Sequence, residues 1–128
     1  MATVRWTPTA RRRYDELQAS ADRSGRTRAR TGRRKSSRQE GLFKQVRKTV
    51  LLLGDNPRHP GLQTHAYHSL ESPFDPKAKV FEAYAQHRTP GAYRVFWCYG
   101  PGPGEITILA ITPHQSSGWR KWRNPKTE

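Results

Sequence analysis

Apolar residues along this chain change rhythm near Pro60, recurring every three or four positions from Ala10 to Leu53 and every second position after it. The stretch ATVRWTP (2–8) alternates, with Val4 and Trp6 on one face, and predicts a short strand. Thr7 and Pro8 then read as a helix N-cap followed by proline at the first helical position, where its missing N–H costs nothing. Ala10, Tyr14, Leu17 and Ala21 follow at helical spacing and predict a first helix with a narrow apolar face. Ser37 with Glu40 three residues on is a capping-box pattern. Leu42, Phe43, Val46, Val50 and Leu53 give the second helix a broad apolar face. Gly54 predicts its end, and Pro57 and Pro60 bar its continuation.

Beyond Pro60 four stretches read as strands: THAYHSL (64–70), KVFEAYAQ (79–86), AYRVFWCYG (92–100) and EITILAIT (105–112). TPGA (89–92) and PGPG (101–104) supply tight turns, so the last strands should form antiparallel hairpins. No helical pattern follows PGPG, which removes it as a phosphate-binding loop. The expected fold is α+β: an N-terminal strand, a two-helix hairpin, then an antiparallel sheet of three to four strands with both helices on one face. At 128 residues the chain, 1–128, is a single domain.

Charge changes the picture. Lys and Arg number 24 against 10 Asp and Glu, a net charge of +14, whose self-repulsion opposes compaction and calls for a polyanionic partner. Nucleic acid comes first among such partners, and an acidic protein would be served by the same field. The charge concentrates at about 23–39, RSGRTRARTGRRKSSRQ, which holds no acidic residue and is interrupted by Gly25 and Gly32. It reads as a solvated connection between the helices that also reaches for phosphates, with Arg33, Arg34, Lys35 and Arg38 as candidate RNA-binding residues. In the tail, 115–128, Trp119 and Trp122 stand among Arg120 and Lys121, which are further RNA-binding candidates. These rings suit base stacking, and equally packing against the sheet edge or a partner protein.

One cysteine, Cys98, allows no internal disulfide and fits a reducing compartment. The start MATVRWTPTARRR has no apolar run after its charges, which argues against a signal peptide, and no stretch approaches the ~20 apolar residues of a membrane span. The expectation is a soluble cytoplasmic protein without membrane contact.

Three of the five histidines lie in NPRHPGLQTHAYHSL (56–70) and raise the question of zinc. His59 sits in an extended turn between Arg58 and Pro60, and His65 and His68 differ by an odd number along a strand, so they point to opposite faces. Ligands that do not converge make no metal centre, and no metal or other cofactor is expected. His114 follows the apolar strand ITILAIT and Pro113, a place from which a side chain can meet substrate, or simply solvent. Arg94 lies inside the apolar YRVFWCYG, on one face with Phe96 and Cys98, where a charge needs a reason. It is either a guanidinium held to grip phosphate or a partly buried arginine paired with Glu82 on the neighbouring strand.

In element order, in NPRHPGL, and in KVFEAYAQHRTPGAYRVFWCYGPGPGEITILAITPH with its arginine after tyrosine on a central strand, the chain resembles the RelE/ParE superfamily of small bacterial toxins. That resemblance covers nearly the whole chain and implies a RelE-like fold and a cognate antitoxin protein that wraps the basic surface. It also implies either a ribosome-dependent mRNA endonuclease, RelE-like or HigB-like, whose partners are mRNA and rRNA, or a ParE-like inhibitor of DNA gyrase. A toxin-fold RNA-binding protein without cleavage is a third reading. In the endonuclease branch the 2′-hydroxyl attacks its adjacent phosphate without metal. The resemblance then implies that Arg94 serves the phosphate and His114 acts as acid or base, with His65, Lys79 and Tyr84 as candidates for the complementary role. The long basic segment and the tryptophan-rich tail depart from the family pattern.

Overall fold

The structure is a computed structural model that describes residues 1–87 and 91–113. Strand β1 (Thr3–Trp6) leads into helix α1 (Pro8–Thr31), then α2 (Arg38–Asp55), a single 3-10 turn at Pro60–Leu62, and strands β2 (His65–Tyr67), β3 (Val80–Tyr84), β4 (Tyr93–Tyr99) and β5 (Glu105–Pro113). The strands form one sheet in the order β1-β5-β4-β3-β2. Pairs β2–β3, β3–β4 and β4–β5 are antiparallel, as the turns predict, while β1 runs parallel to β5. The sheet is therefore mixed and five-stranded rather than purely antiparallel. The chain from β1 to its parallel neighbour β5 runs through both helices and strands β2 to β4, so the pair needs no tight turn.

Thr7 caps α1, its Oγ1 accepting from Ala10 N at 3.1 Å and donating to Leu109 O at 2.9 Å, so the cap also ties the helix start to β5. The helix does not stop at residue 23. It runs through Gly25 to Thr31 and ends at Gly32, whose φ of 72° is the left-handed conformation of a helix terminus. The expected connection over 23–39 thus shrinks to the few residues between Thr31 and Arg38. A mid-helix glycine costs about 1 kcal/mol relative to alanine, a penalty small enough for the helix to carry through it. Two turns on from Ala21, Arg28 forms a two-pronged bond to Glu40 of α2, Nε to Oε1 and Nη2 to Oε2, both at 2.9 Å. Glu40 also closes the capping box: Ser37 Oγ accepts from Glu40 N, and Glu40 Oε1 accepts from Ser37 N. One carboxylate therefore starts α2 and fastens it to α1.

Gly54 is not the stop of α2, which continues to Asp55 and is capped by Asn56. Its lack of a side chain serves a close crossing instead: Ala2 N donates to Gly54 O at 2.7 Å, and a Cβ there would stand 3.1 Å from Val4 Cγ2. Val46, Val50 and Leu53 of α2 and Ala10 of α1 pack on Val95, Trp97, Ile106, Ile108 and Ile111 of the sheet. Each large side chain buried there contributes about 1.5–3 kcal/mol. On the opposite face lie Leu70, Val80, Phe96, Cys98, Leu109 and Ala110. A bulge in β5 makes this possible. Phe96 pairs with Ala110 and Trp97 with Ile108, so the extra Leu109 joins Ala110 on the second face.

The Arg28 guanidinium holds the Glu40 carboxyl down at about 2, against an ordinary 4.5. A lowered folded value means that the contribution to stability is complete above 4.5 and disappears as pH falls toward 2. Glu40→Gln keeps the shape that closes the capping box but loses the ion pair. Its melting temperature should lie below wild type at neutral pH, with the gap closing across that acid window. A gap independent of pH would contradict the pairing.

Candidate functional site

Polar side chains gather at one end of the sheet face turned away from the helices. Arg94 on β4 stands opposite Tyr84 on β3 and Thr112 on β5. It is only 9% exposed, and its partners are now visible. Nη1 donates to three backbone carbonyls around the β3–β4 connection, Gln86 O at 3.0 Å, Ala92 O at 3.3 Å and Tyr93 O at 3.4 Å. The guanidinium carbon sits 3.8 Å from the centre of the Tyr84 ring, a cation over an aromatic face. Nε is buried without an acceptor.

Glu82 is not the partner of Arg94. The register sets Glu82 opposite His65 of β2 and Phe96 of β4, two residues along β3 from Tyr84. Its Oε1 lies 2.6 Å from His65 Nε2, and its Oε2 is buried without a partner. The other ring nitrogen, His65 Nδ1, lies 3.3 Å from Gln63 O. Each ring nitrogen thus lies beside an oxygen that accepts, the Glu82 carboxylate on one side and the Gln63 carbonyl on the other. His65 also meets Tyr84 edge to face at 5.4 Å, and His87 lies 5.5 Å from the same ring. The His65 side chain is half exposed, 49%, whereas that of Glu82 is 6% exposed, so the pair joins the buried site to solvent.

Three of the candidates, Arg94, Tyr84 and His65, thus come together around one tyrosine ring. Lys79 does not join them. It is exposed ahead of β3 and, on that strand's alternation, belongs with Phe81, which packs on the helix side. His114, Trp119, Arg120, Lys121 and Trp122 lie outside the described residues, as do Thr89 and Pro90 of the expected turn. Arg33, Arg34, Lys35 and Arg38 are all exposed at the far tip of the helical hairpin. Glu82 is the site residue that pattern reading gave only a structural part. Its signal was present: a carboxylate inside the apolar KVFEAYAQ requires a reason as much as Arg94 does.

The three histidines of residues 56–70 have separate surroundings. His59 Nδ1 accepts from Gly61 N at 2.9 Å and caps the 3-10 turn, His65 pairs with Glu82, and His68 is exposed beyond β2. Among the described residues no group of three or more His, Cys, Asp or Glu side chains is placed to hold a metal ion. Also among them, no helix is long and apolar enough to cross a membrane.

No family model matches this chain, and no curated protein matches it. Solved structures do. A YoeB/ParE toxin from Agrobacterium tumefaciens is similar at a TM-score of 0.53 and 7% identity, over 88% of this chain and 99% of that one. The YoeB dimer from Staphylococcus aureus is similar at a TM-score of 0.51 and 11% identity, over 89% of this chain and 98% of that one. At such identities the likeness is one of fold.

Cys98 shares the second face but not the chemistry. It is fully buried, Ser72 Oγ donates to its Sγ at 3.8 Å, and burial pushes its thiol up. It should resist a thiol-reactive dye in the folded protein and react only when denaturant unfolds the chain. Fast labelling under native conditions would contradict this packing.

Proposed function

We propose that this chain, which adopts the RelE/ParE toxin fold, is the toxin of a toxin–antitoxin pair and acts as a ribosome-associated endonuclease on mRNA. The observation that carries the reading is the union of a buried arginine, a tyrosine and a histidine–carboxylate pair on one sheet face. RNA cleavage by its own 2′-hydroxyl asks for these parts. A base takes the 2′ proton, the oxygen bonds to the adjacent phosphorus, and the bond from phosphorus to the 5′-oxygen breaks as an acid protonates that oxygen. The products are a 2′,3′-cyclic phosphate and a 5′-hydroxyl end. In this assignment the Arg94 guanidinium supplies positive charge toward the phosphorane as its negative charge builds. Tyr84 keeps the guanidinium plane in place. The His65–Glu82 pair takes up the 2′ proton, and His114, two residues along the chain from Thr112 opposite Arg94, supplies the proton to the leaving oxygen.

The partners proposed with this function are mRNA and rRNA on the ribosome, in the cytoplasm, and a cognate antitoxin protein attracted to the +14 surface. A second reading keeps the toxin but removes the chemistry, as in a ParE-like inhibitor of gyrase. One observation favours it: Nη1 of Arg94 is wholly engaged by backbone carbonyls, which a purely structural arginine would also show.

Single-turnover cleavage of ribosome-bound mRNA, with binding followed in parallel, separates the two. His114→Ala and Glu82→Gln should each lower cleavage by about 10²-fold or more, the usual loss when a general acid or base is removed. Arg94→Lys should also be damaging, because an ammonium cannot reproduce a planar guanidinium over the ring. All three should still bind the ribosome. Variants that bind and cut like wild type would place the reaction elsewhere, and a wild-type protein that binds without cutting would leave the non-catalytic reading.

A further inference from the structure

The basic segment is built differently from a loose arm. Residues 23–31 are the last turns of α1, which at 24 residues is about 36 Å long. Ser37 starts α2 beside them, and the Arg28–Glu40 bond and a contact from Ser24 Oγ to Gln39 Oε1 at 3.5 Å fix the two helices together. Between them opens a groove of about 900 Å³ at the hairpin tip, with Arg23, Thr27, Arg33, Arg34 and Lys35 among its walls. Arg26 and Arg30 line a second depression on the adjoining side of α1. Among the described residues Arg28 is the one cation of residues 23–38 with a carboxylate partner.

We propose that this groove is an RNA-backbone clamp, a site separate from the Arg94 cluster that holds the phosphates of a structured RNA. Its lining decides the class of partner. Every residue around it is Ser, Thr, Arg, Lys or Gln, without an aliphatic or aromatic side chain. Protein partners are anchored through apolar and aromatic side chains at the centre of a contact, and charged residues are depleted there. Nucleic-acid contacts are polar, strongly positive and dominated by phosphate oxygens that Arg, Lys, Ser and Thr can all donate to. The fastened helices hold these donors ready, so binding need not order a flexible segment. Recognition of this kind reads the backbone and not the sequence.

The identification of the ligand as RNA rests on the function proposed above, but the test does not depend on cutting. The probe is a labelled RNA hairpin with 2′-O-methyl riboses, which cannot be cleaved, titrated by fluorescence anisotropy across a series of salt concentrations. The triple change Arg33→Gln, Arg34→Gln, Lys35→Gln should weaken binding at least tenfold at low salt. It should also lower the slope of log affinity against log salt by roughly 2 to 3, as three lost phosphate contacts require. A separate variant, Thr27→Glu, sets a negative charge in the groove wall and should weaken binding as well. Arg58→Gln, an exposed cation beyond α2, should change little. Melting temperatures of all variants should stay near wild type, because none of these side chains enters the core. Equal affinity and salt slope for wild type and the triple variant would overturn the clamp. So would loss of binding to an acidic peptide with RNA binding intact. Either result leaves the cleavage assay at Arg94 free to succeed or fail by itself.

Discussion

A guanidinium placed inside an apolar strand must be given partners, and that requirement shapes the centre of this molecule. Arg94 is flanked along β4 by Val95, Phe96 and Trp97, all fully buried or nearly so. Removing such a charge from water is tolerable only with hydrogen bonds and a polarisable neighbour. The fold provides them by bringing the carbonyls of Gln86, Ala92 and Tyr93 to one nitrogen and the Tyr84 ring beneath the cation. The β3–β4 register, Tyr84 against Arg94, is what aligns these groups, and the same register displaces Glu82 to His65. One pairing scheme therefore sets both the Arg94–Tyr84 contact and the His65–Glu82 pair on the same face.

The two faces of the sheet divide the work. The helix face is apolar and carries the packing that holds α1 and α2. The other face is apolar around Phe96 and Cys98 and becomes polar toward Arg94. The helical hairpin has its own division: its base grips the sheet through Ala10, Val46, Val50 and Leu53, while its tip carries the unpaired cations. Fastening the tip falls to Glu40, which lies in both the capping box and the bond to Arg28. Eight of the 24 Lys and Arg residues thus stand where few apolar contacts are at risk from repulsion.

Local signals were legible in the residues. The Ser37–Glu40 box, the Thr7–Pro8 helix start and the branched runs of β4 and β5 act over a few positions and appear where they are expected. Non-local choices were not. The small helical penalty of Gly25 is visible in the sequence, whereas the Arg28–Glu40 bond that fastens the helix beyond it joins residues twelve apart. The parallel place of β1 beside β5 depends on a crossover over both helices, and no pattern within residues 2–8 encodes it. Neighbouring strands make Glu82 one possible partner of Arg94, beside a phosphate. A register offset of two residues, invisible in alternation, hands it to His65 instead.

The central claim is that the Arg94 face performs RNA cleavage, and the most direct test is to map the ends of cellular mRNA by primer extension after brief induction of the chain. The account predicts discrete new ends within translated regions, carrying 5′-hydroxyl groups opposite 2′,3′-cyclic phosphates, and absent when Arg94 is replaced. Growth arrest with intact mRNA would contradict it.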